Sequence, residues 1–303
     1  MIVRDRPSGW QLFFILRGSI LPRIAGPLLT TIGIAVAVTV LHGRLFDTKV
    51  TLTPIPFSLI GLALAIFLGF RNSASYDRWW EGRKLWGDLI IRTRSLARLW
   101  LNHAGSPPEE ARLQLRRLIA FTYALKQQLR GIGAEQAAAL LPATDWSDPA
   151  YTVNAPDLIL RRFSAEVAAA RAAGRLDAMM AAEMEENLTA LASIQAGCER
   201  IRTTPLPFTY TLMLHRTAYL YCLMLPFGLV DTIGFTTPLV VGLISYTFFG
   251  LDALGDEIEE PFGLLPNDLP LDALCTRVEI DLRAALGETE LPQVPQPVQY
   301  SLM

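Results

Sequence analysis

The chain has 303 residues, 51% of them hydrophobic, and a mean hydropathy of +0.31, more apolar than a soluble domain of that size. Its 27 Lys and Arg against 29 Asp and Glu give a formal charge of −2, so no bulk charge marks it for nucleic acid or acidic substrates. Cys198, Cys222 and Cys275 show no CxxC spacing and His42, His103 and His215 are equally scattered, which argues against a metal or redox site and for three unpaired thiols in a reduced compartment.

In chain order, Met1 to Arg23 carries four arginines around an apolar core, Trp10 to Leu16, without a small-residue cleavage site. It is expected to be a short amphipathic helix on a membrane surface rather than a signal peptide. A membrane-spanning helix needs roughly 20 apolar residues to cross about 30 Å of hydrocarbon. No Asp, Glu, Lys or Arg occurs between Arg23 and Arg44, between Lys49 and Arg71, or between Asp231 and Asp252. Thr203 to Val230 forms a fourth candidate with a single charge, Arg216, which either faces a wet cavity or sits at the interface ahead of a span tilted or kinked near Pro226.

Of the 27 Lys and Arg, 18 lie between Arg71 and Arg202, beside the second candidate span. The positive-inside rule therefore puts that region and both termini in the cytoplasm, and the links around 42–50 and 231–234 outside. Tyr76, Trp79 and Trp80 sit where a helix would leave the bilayer. Segments 84–102, 108–131, 164–174 and 176–202 have apolar residues at helical spacing, punctuated by Pro107, Pro108, Pro142, Pro149 and Pro156. No run alternates like a strand, and the tail 291–303 is expected to be extended or disordered. The expected architecture is all-α, with four membrane helices and a helical cytoplasmic region. The divisions are an interfacial helix at 1–23, spans at 24–80, cytoplasmic helices at 81–204, spans at 205–258 and a cytoplasmic C-terminal segment at 259–303.

No Walker loop, GxGxxG, paired-histidine motif or GxSxG elbow is present, so an enzyme has no support. In the second span Leu62, Ile66 and Phe70 fall at i, i+4 and i+8, one stripe on a helix. Gly61, Ala65 and Gly69 beside it are small enough for close helix contact. Periodicity alone would turn such a stripe toward lipid or a neighbouring helix.

The run FLGFRNSASYDRWWEGRKLWG at 67–87 resembles the bestrophin family, in particular its bacterial branch. The resemblance continues through TTPLPFTYTLMLHR at 203–216, the LPFGLVD run ending at Asp231 and DEIEEPFG at 256–263, in family order. It implies a homopentamer in the bacterial inner membrane around one central pore, lined at its neck by Leu62, Ile66 and Phe70. Stacked apolar rings of that kind can gate by dewetting. A second constriction at the cytoplasmic exit is expected; Met180, on a stripe with Leu176 and Met184, is the candidate, although core packing also explains that stripe. Asp252, Asp256, Glu259 and Glu260 cluster on about one helical face and tilt the expectation slightly toward cations over chloride, although a solvated helix end explains them too. Asp77 and Arg78 are candidates for packing ion pairs at the membrane exit. Where animal bestrophins clasp calcium, LLPNDLPLD at 264–272 offers only Asp268 and Asp272, against the six to eight oxygens calcium prefers. Calcium gating and other cofactors are therefore not expected. The expected function is a channel for small monovalent ions; the alternative is a non-conducting membrane scaffold that binds a partner through its cytoplasmic helices.

Overall fold

The computed structural model describes residues 1–4, 8–12, 14–41, 44–45, 48–49, 52–143 and 151–302. The helices are α1 (Gly9–Leu12), α2 (Leu21–Val40), α3 (Pro54–His103), α4 (Pro108–Arg130), α5 (Glu135–Ala138), α6 (Tyr151–Ala172), α7 (Ala178–Thr203), α8 (Phe208–Ile233), α9 (Thr237–Glu259) and α10 (Leu271–Ala285). The described residues also hold a two-residue antiparallel ladder, Arg44–Leu45 (β1) with Thr48–Lys49 (β2), too short to alter the all-α class. Much of this outer link, including His42, lies outside the described residues, as does Pro149.

The chain divides into two compact units. The first comprises Arg4–Trp79 and Pro205–Glu260 and packs α2, α8, α9 and the N-terminal part of α3. Its core is apolar: Ile24, Leu64, Leu68, Leu214, Ala218, Cys222, Phe248, Phe249 and Ala253. Its outside is apolar too, with Leu29, Ile55, Leu59, Leu220, Phe235, Leu239 and Leu243 all exposed. A surface of that kind needs an apolar solvent or partner. Among the described residues, three helical stretches are long and apolar enough to cross a membrane: Leu21–Val40, Pro54–His103 and Phe208–Glu259. The last contains α8 and α9 on either side of a 3-10 turn, Gly234–Thr236, where Gly234 takes φ +56. A positive φ suits glycine, which lacks the Cβ that makes it costly. α8 continues through Pro226 as one element.

The second unit comprises Met1–Val3, Trp80–Thr204 and Pro261–Met303. Here α4 packs against α6 and α10, and α6 against α7. Its core includes Trp86, Trp100, Leu115, Leu118, Phe121, Phe163, Leu191, Cys275 and Leu282. The helix ends are well specified. Pro108 opens α4, Glu109 and Glu110 follow in its first turn, Arg130 lies in its last, and Gly131 closes it at φ +66. Acid at the positive end and base at the negative end both favour the helix dipole. Asp177 caps α7, its side chain accepting the Met179 N–H at 2.8 Å.

Several boundaries depart from expectation. The second span and the first cytoplasmic helix are one 50-residue helix, α3, because no proline interrupts it after Pro56. Pro156 lies inside α6, with a non-helical Asn154 just before it, so the helix expected from 164 begins earlier. Within 1–23, the helix before α2 spans only Gly9–Leu12, with Trp10, Phe14 and Leu16 exposed; residues 5–7 and 13 lie outside the described residues. The C-terminal segment contains α10, whose buried face repeats at Leu271, Cys275, Val278 and Leu282. Beyond it the tail pairs with the N-terminus: the Met1 ammonium donates to the Leu302 carbonyl at 2.6 Å, and Val3 N–H to the Tyr300 carbonyl at 2.8 Å.

Candidate functional site

The N-terminal part of α3 carries two faces. Leu64, Leu68, Arg71 and Ser75, at i, i+4, i+7 and i+11, are buried. Leu62, Ile66 and Phe70 are 62%, 48% and 64% exposed, a row of large apolar side chains left open among the described residues. The geometry therefore brings the three neck candidates onto one free face. Of the small residues beside them, Gly61 lies against Tyr221, where an added Cβ would fall 2.7 Å from the hydroxyl, while Gly69 has nothing within 4 Å. Close helix contact is thus a property of Gly61 and not of Gly69.

The acidic candidates are largely engaged within the subunit. Arg71, fully buried, donates from Nη1 to Asp252 Oδ1 at 2.7 Å and from Nη2 to Asp256 Oδ1, with Glu259 Oε2 at 3.7 Å. Asp252 Oδ2 meets His215 Nδ1 at 2.7 Å, and Asp256 also faces Arg23 at 3.9 Å. Glu259 accepts the Leu206 N–H at 3.0 Å, while its carbonyl accepts from Arg78 Nε at 3.0 Å. Glu260 is exposed and makes no ion pair among the described residues. Arg71 organises three of the four acidic candidates, Asp252, Asp256 and Glu259, because a buried guanidinium needs fixed acceptors. Periodicity misses Arg71, which reads as the charge that ends a span.

Met180 is half-buried, Leu176 and Met184 belong to the core, and the neighbouring Met179 is 76% exposed. Among the three methionines here, Met179 is the exposed one. Sequence spacing selects Met180 because it shares a stripe with Leu176 and Met184, but that stripe faces inward.

The calcium-position carboxylates also have structural partners. Asp268 Oδ2 accepts the Leu265 N–H at 2.7 Å. Asp272 bonds Lys126 at 2.7 Å and Arg130 at 2.6 Å. Burial works against the Asp272 charge, but bonds and attraction from Arg130 and Lys126 outweigh it and hold the carboxyl below its usual range. Nearby, burial and then the hydrogen bond to Glu279 push the Tyr123 hydroxyl upward. Cys198, Cys222 and Cys275 are free and buried; burial pushes the Cys198 and Cys275 thiols up to about 12, leaving them protonated and unreactive. No group of three or more metal-ligating side chains occurs among the described residues.

Comparison with known proteins gives the family and the fold. The family described as Bacterial/Fungal Bestrophin protein matches residues 1–284. A voltage-dependent anion channel-forming protein of Mesorhizobium japonicum is 46% identical over 99% of this chain and 97% of its own length. The protein of the same description from Escherichia coli strain K12 is 42% identical over 96% of each chain. Among solved structures, a bacterial bestrophin homolog from Klebsiella pneumoniae superposes with a TM-score of 0.85 at 39% identity, covering 88% of this chain and all of that one. The chain belongs to the bacterial and fungal bestrophins, a family of ion channels rather than enzymes.

Proposed function

We propose that this chain is the subunit of a homopentameric channel that passes small monovalent ions through an apolar neck of Leu62, Ile66 and Phe70. The observation that carries the reading is the exposed row of those three side chains on one face of α3. Copies arranged around an axis would cover it and form stacked apolar rings able to gate by dewetting. The number five rests on the bestrophin resemblance, since a single chain does not count subunits.

Four crossings fit the helices. Phe208–Glu259 holds 52 residues, far more than the roughly 20 that one crossing needs, and its turn at Gly234–Thr236 divides it into two. An even number keeps both termini on one side, and the basic residues of 71–202 make that side the cytoplasm of a bacterial inner membrane. The division at 1–23, 24–80, 81–204, 205–258 and 259–303 is proposed on the same grounds. Calcium is proposed to be dispensable, because Asp268 and Asp272 are already engaged by Leu265, Lys126 and Arg130.

The sign of the ion is the finer part of the proposal. Around Arg71, the salt bridges set three carboxylates (Asp252, Asp256, Glu259) against two guanidiniums (Arg23, Arg71), a surplus of one negative charge per subunit. That surplus supports a slight preference for cations. The second reading is anion conduction, supported by the names of the Mesorhizobium and Escherichia relatives. The deciding measurement is the reversal potential of purified protein in a planar bilayer under a KCl gradient. A potential toward the potassium equilibrium value supports cations, and one toward the chloride value supports anions. No current from an intact oligomer would overturn the channel and favour a scaffold acting through its cytoplasmic helices.

A further inference from the structure

Phe70 and Arg71 are consecutive on α3, one 64% exposed on the outside of the subunit and the other fully buried. At about 100° per residue, the direction of Arg71 fixes the direction of Phe70, and through the helix that of Ile66 and Leu62. The rest of the buried face of α3, Leu64 and Leu68, packs among leucine, alanine, phenylalanine and isoleucine. Contacts of that kind have little directional preference in a membrane, where lipid is as apolar as the helix partner. The guanidinium differs. It reaches three carboxylates at i, i+4 and i+7 on α9, Asp252, Asp256 and Glu259, and the Asp252 carbonyl at 3.3 Å. Gly255, between them, leaves the room: a Cβ there would strike the Asn72 side chain and lie 3.5 Å from the Arg71 guanidinium carbon.

We infer that Arg71 is the positioning residue of the neck: its fork onto Asp252, Asp256 and Glu259 sets the rotation of α3 and thereby the width of the apolar rings. The inference rests on the proposed neck. Rotation about α3 breaks charge-assisted bonds in a low-dielectric site, so the helix has a preferred angle that apolar packing alone does not supply. His215, on the other oxygen of Asp252, holds that carboxylate in place from α8.

The test separates positioning from mere stability. Arg71→Met combined with Asp252→Asn, Asp256→Asn and Glu259→Gln neutralises Arg71 and the three carboxylates it meets, leaving Arg23 at the edge, and exchanging a buried ion group for neutral side chains is often tolerated. Oligomer size and thermal stability are measured in detergent, and single-channel conductance and open-to-closed ratio in a planar bilayer, with Leu62→Ala, Ile66→Ala and Phe70→Ala as controls. The expected result is an assembled oligomer whose open-to-closed ratio shifts by about twofold to thirtyfold, as for other buried coupling contacts. An assembled neutral variant conducting as the wild type does would overturn the inference. If that variant does not assemble, Arg71→Lys decides: it keeps the charge but loses the planar fork. A shifted ratio in that variant supports positioning, and a wild-type ratio overturns it. Unchanged conductance in Phe70→Ala together with Leu62→Ala and Ile66→Ala would remove the neck and this inference with it, a failure distinguishable from one confined to Arg71.

Discussion

Arg71 and Asp252 meet across α3 and α9, Nη1 to Oδ1 at 2.7 Å, with their side chains 0% and 5% exposed. Removing one partner from such a pair leaves an uncompensated buried charge, at a cost of roughly 3–5 kcal/mol. Arg71→Met alone strands Asp252, with Asp256 and Glu259 beside it. It is expected to lower thermal stability in detergent more than the neutralised variant does. Equal stability of the two would show that the carboxylates find other partners.

Leu62→Ala, Ile66→Ala and Phe70→Ala each shorten a side chain that lies on the exposed face of α3 and supports nothing in the subunit core. They are expected to raise unitary conductance while leaving the fold intact, because a wider neck dewets less readily. Single-channel recording of each variant beside the wild type checks this. Unchanged conductance in all three would place the constriction elsewhere.

The apolar helices are legible in the sequence because they follow from where charges are missing, and Leu62, Ile66 and Phe70 are legible as one stripe, whose reading as a neck comes from the bestrophin resemblance rather than from spacing. Contacts between distant segments are not legible in that way. Arg71 looks like the residue that ends a span, and nothing local tells that it turns inward to meet residues some 180 positions later. The acids at 252–260 look like an inner mouth for the same reason. Helix α10 carries its own signal, Leu271, Cys275, Val278 and Leu282 at helical spacing, but the stretch leading into it draws attention for the calcium ligands it lacks. Met180 stands out by periodicity, yet a stripe that regular belongs to the core.

Asp272 gives a pH-dependent stability with a definite sign. Its folded pKa lies below the usual value of about 3.9, so its contribution is complete above that value and lost as the pH falls through the folded pKa. Thermal stability should therefore decline as the pH drops from about 5 toward 3. Asp272→Asn leaves Lys126 and Arg130, both more than nine-tenths buried, with one fewer acceptor. Because Asp272 itself is 39% exposed, the loss at neutral pH should fall below that of a fully buried pair, about 2 kcal/mol. The variant should also show a flatter decline in acid. A decline as steep as that of the wild type would assign the acid sensitivity to other carboxylates.

Two glycines in the apolar unit should respond oppositely to alanine. At Gly228 a Cβ would fall 2.6 Å from the Phe57 ring, so Gly228→Ala forces the ring or α8 to move. Overpacking of that kind costs about 1–3 kcal/mol. At Gly33 a Cβ meets nothing within 4 Å, and Gly33→Ala should be neutral or stabilise α2 by up to about 1 kcal/mol. Thermal unfolding of the two variants, each beside the wild type, distinguishes them.

Asp177 caps α7 through the Met179 N–H, which holds the first turn and with it the exposed Met179 side chain. Met180, one position on, is half-buried. A ring of side chains at the cytoplasmic exit must project from each subunit, so Met179→Ala is expected to change conductance with little loss of stability. Met180→Ala removes partly buried apolar volume and is expected to lower stability with a smaller effect on conductance. Asp177→Ala, which loses the cap at a cost of about 1 kcal/mol, should act on conductance in the same direction as Met179→Ala by loosening that turn. Conductance altered by Met180→Ala and untouched by Met179→Ala would return the aperture to the buried stripe.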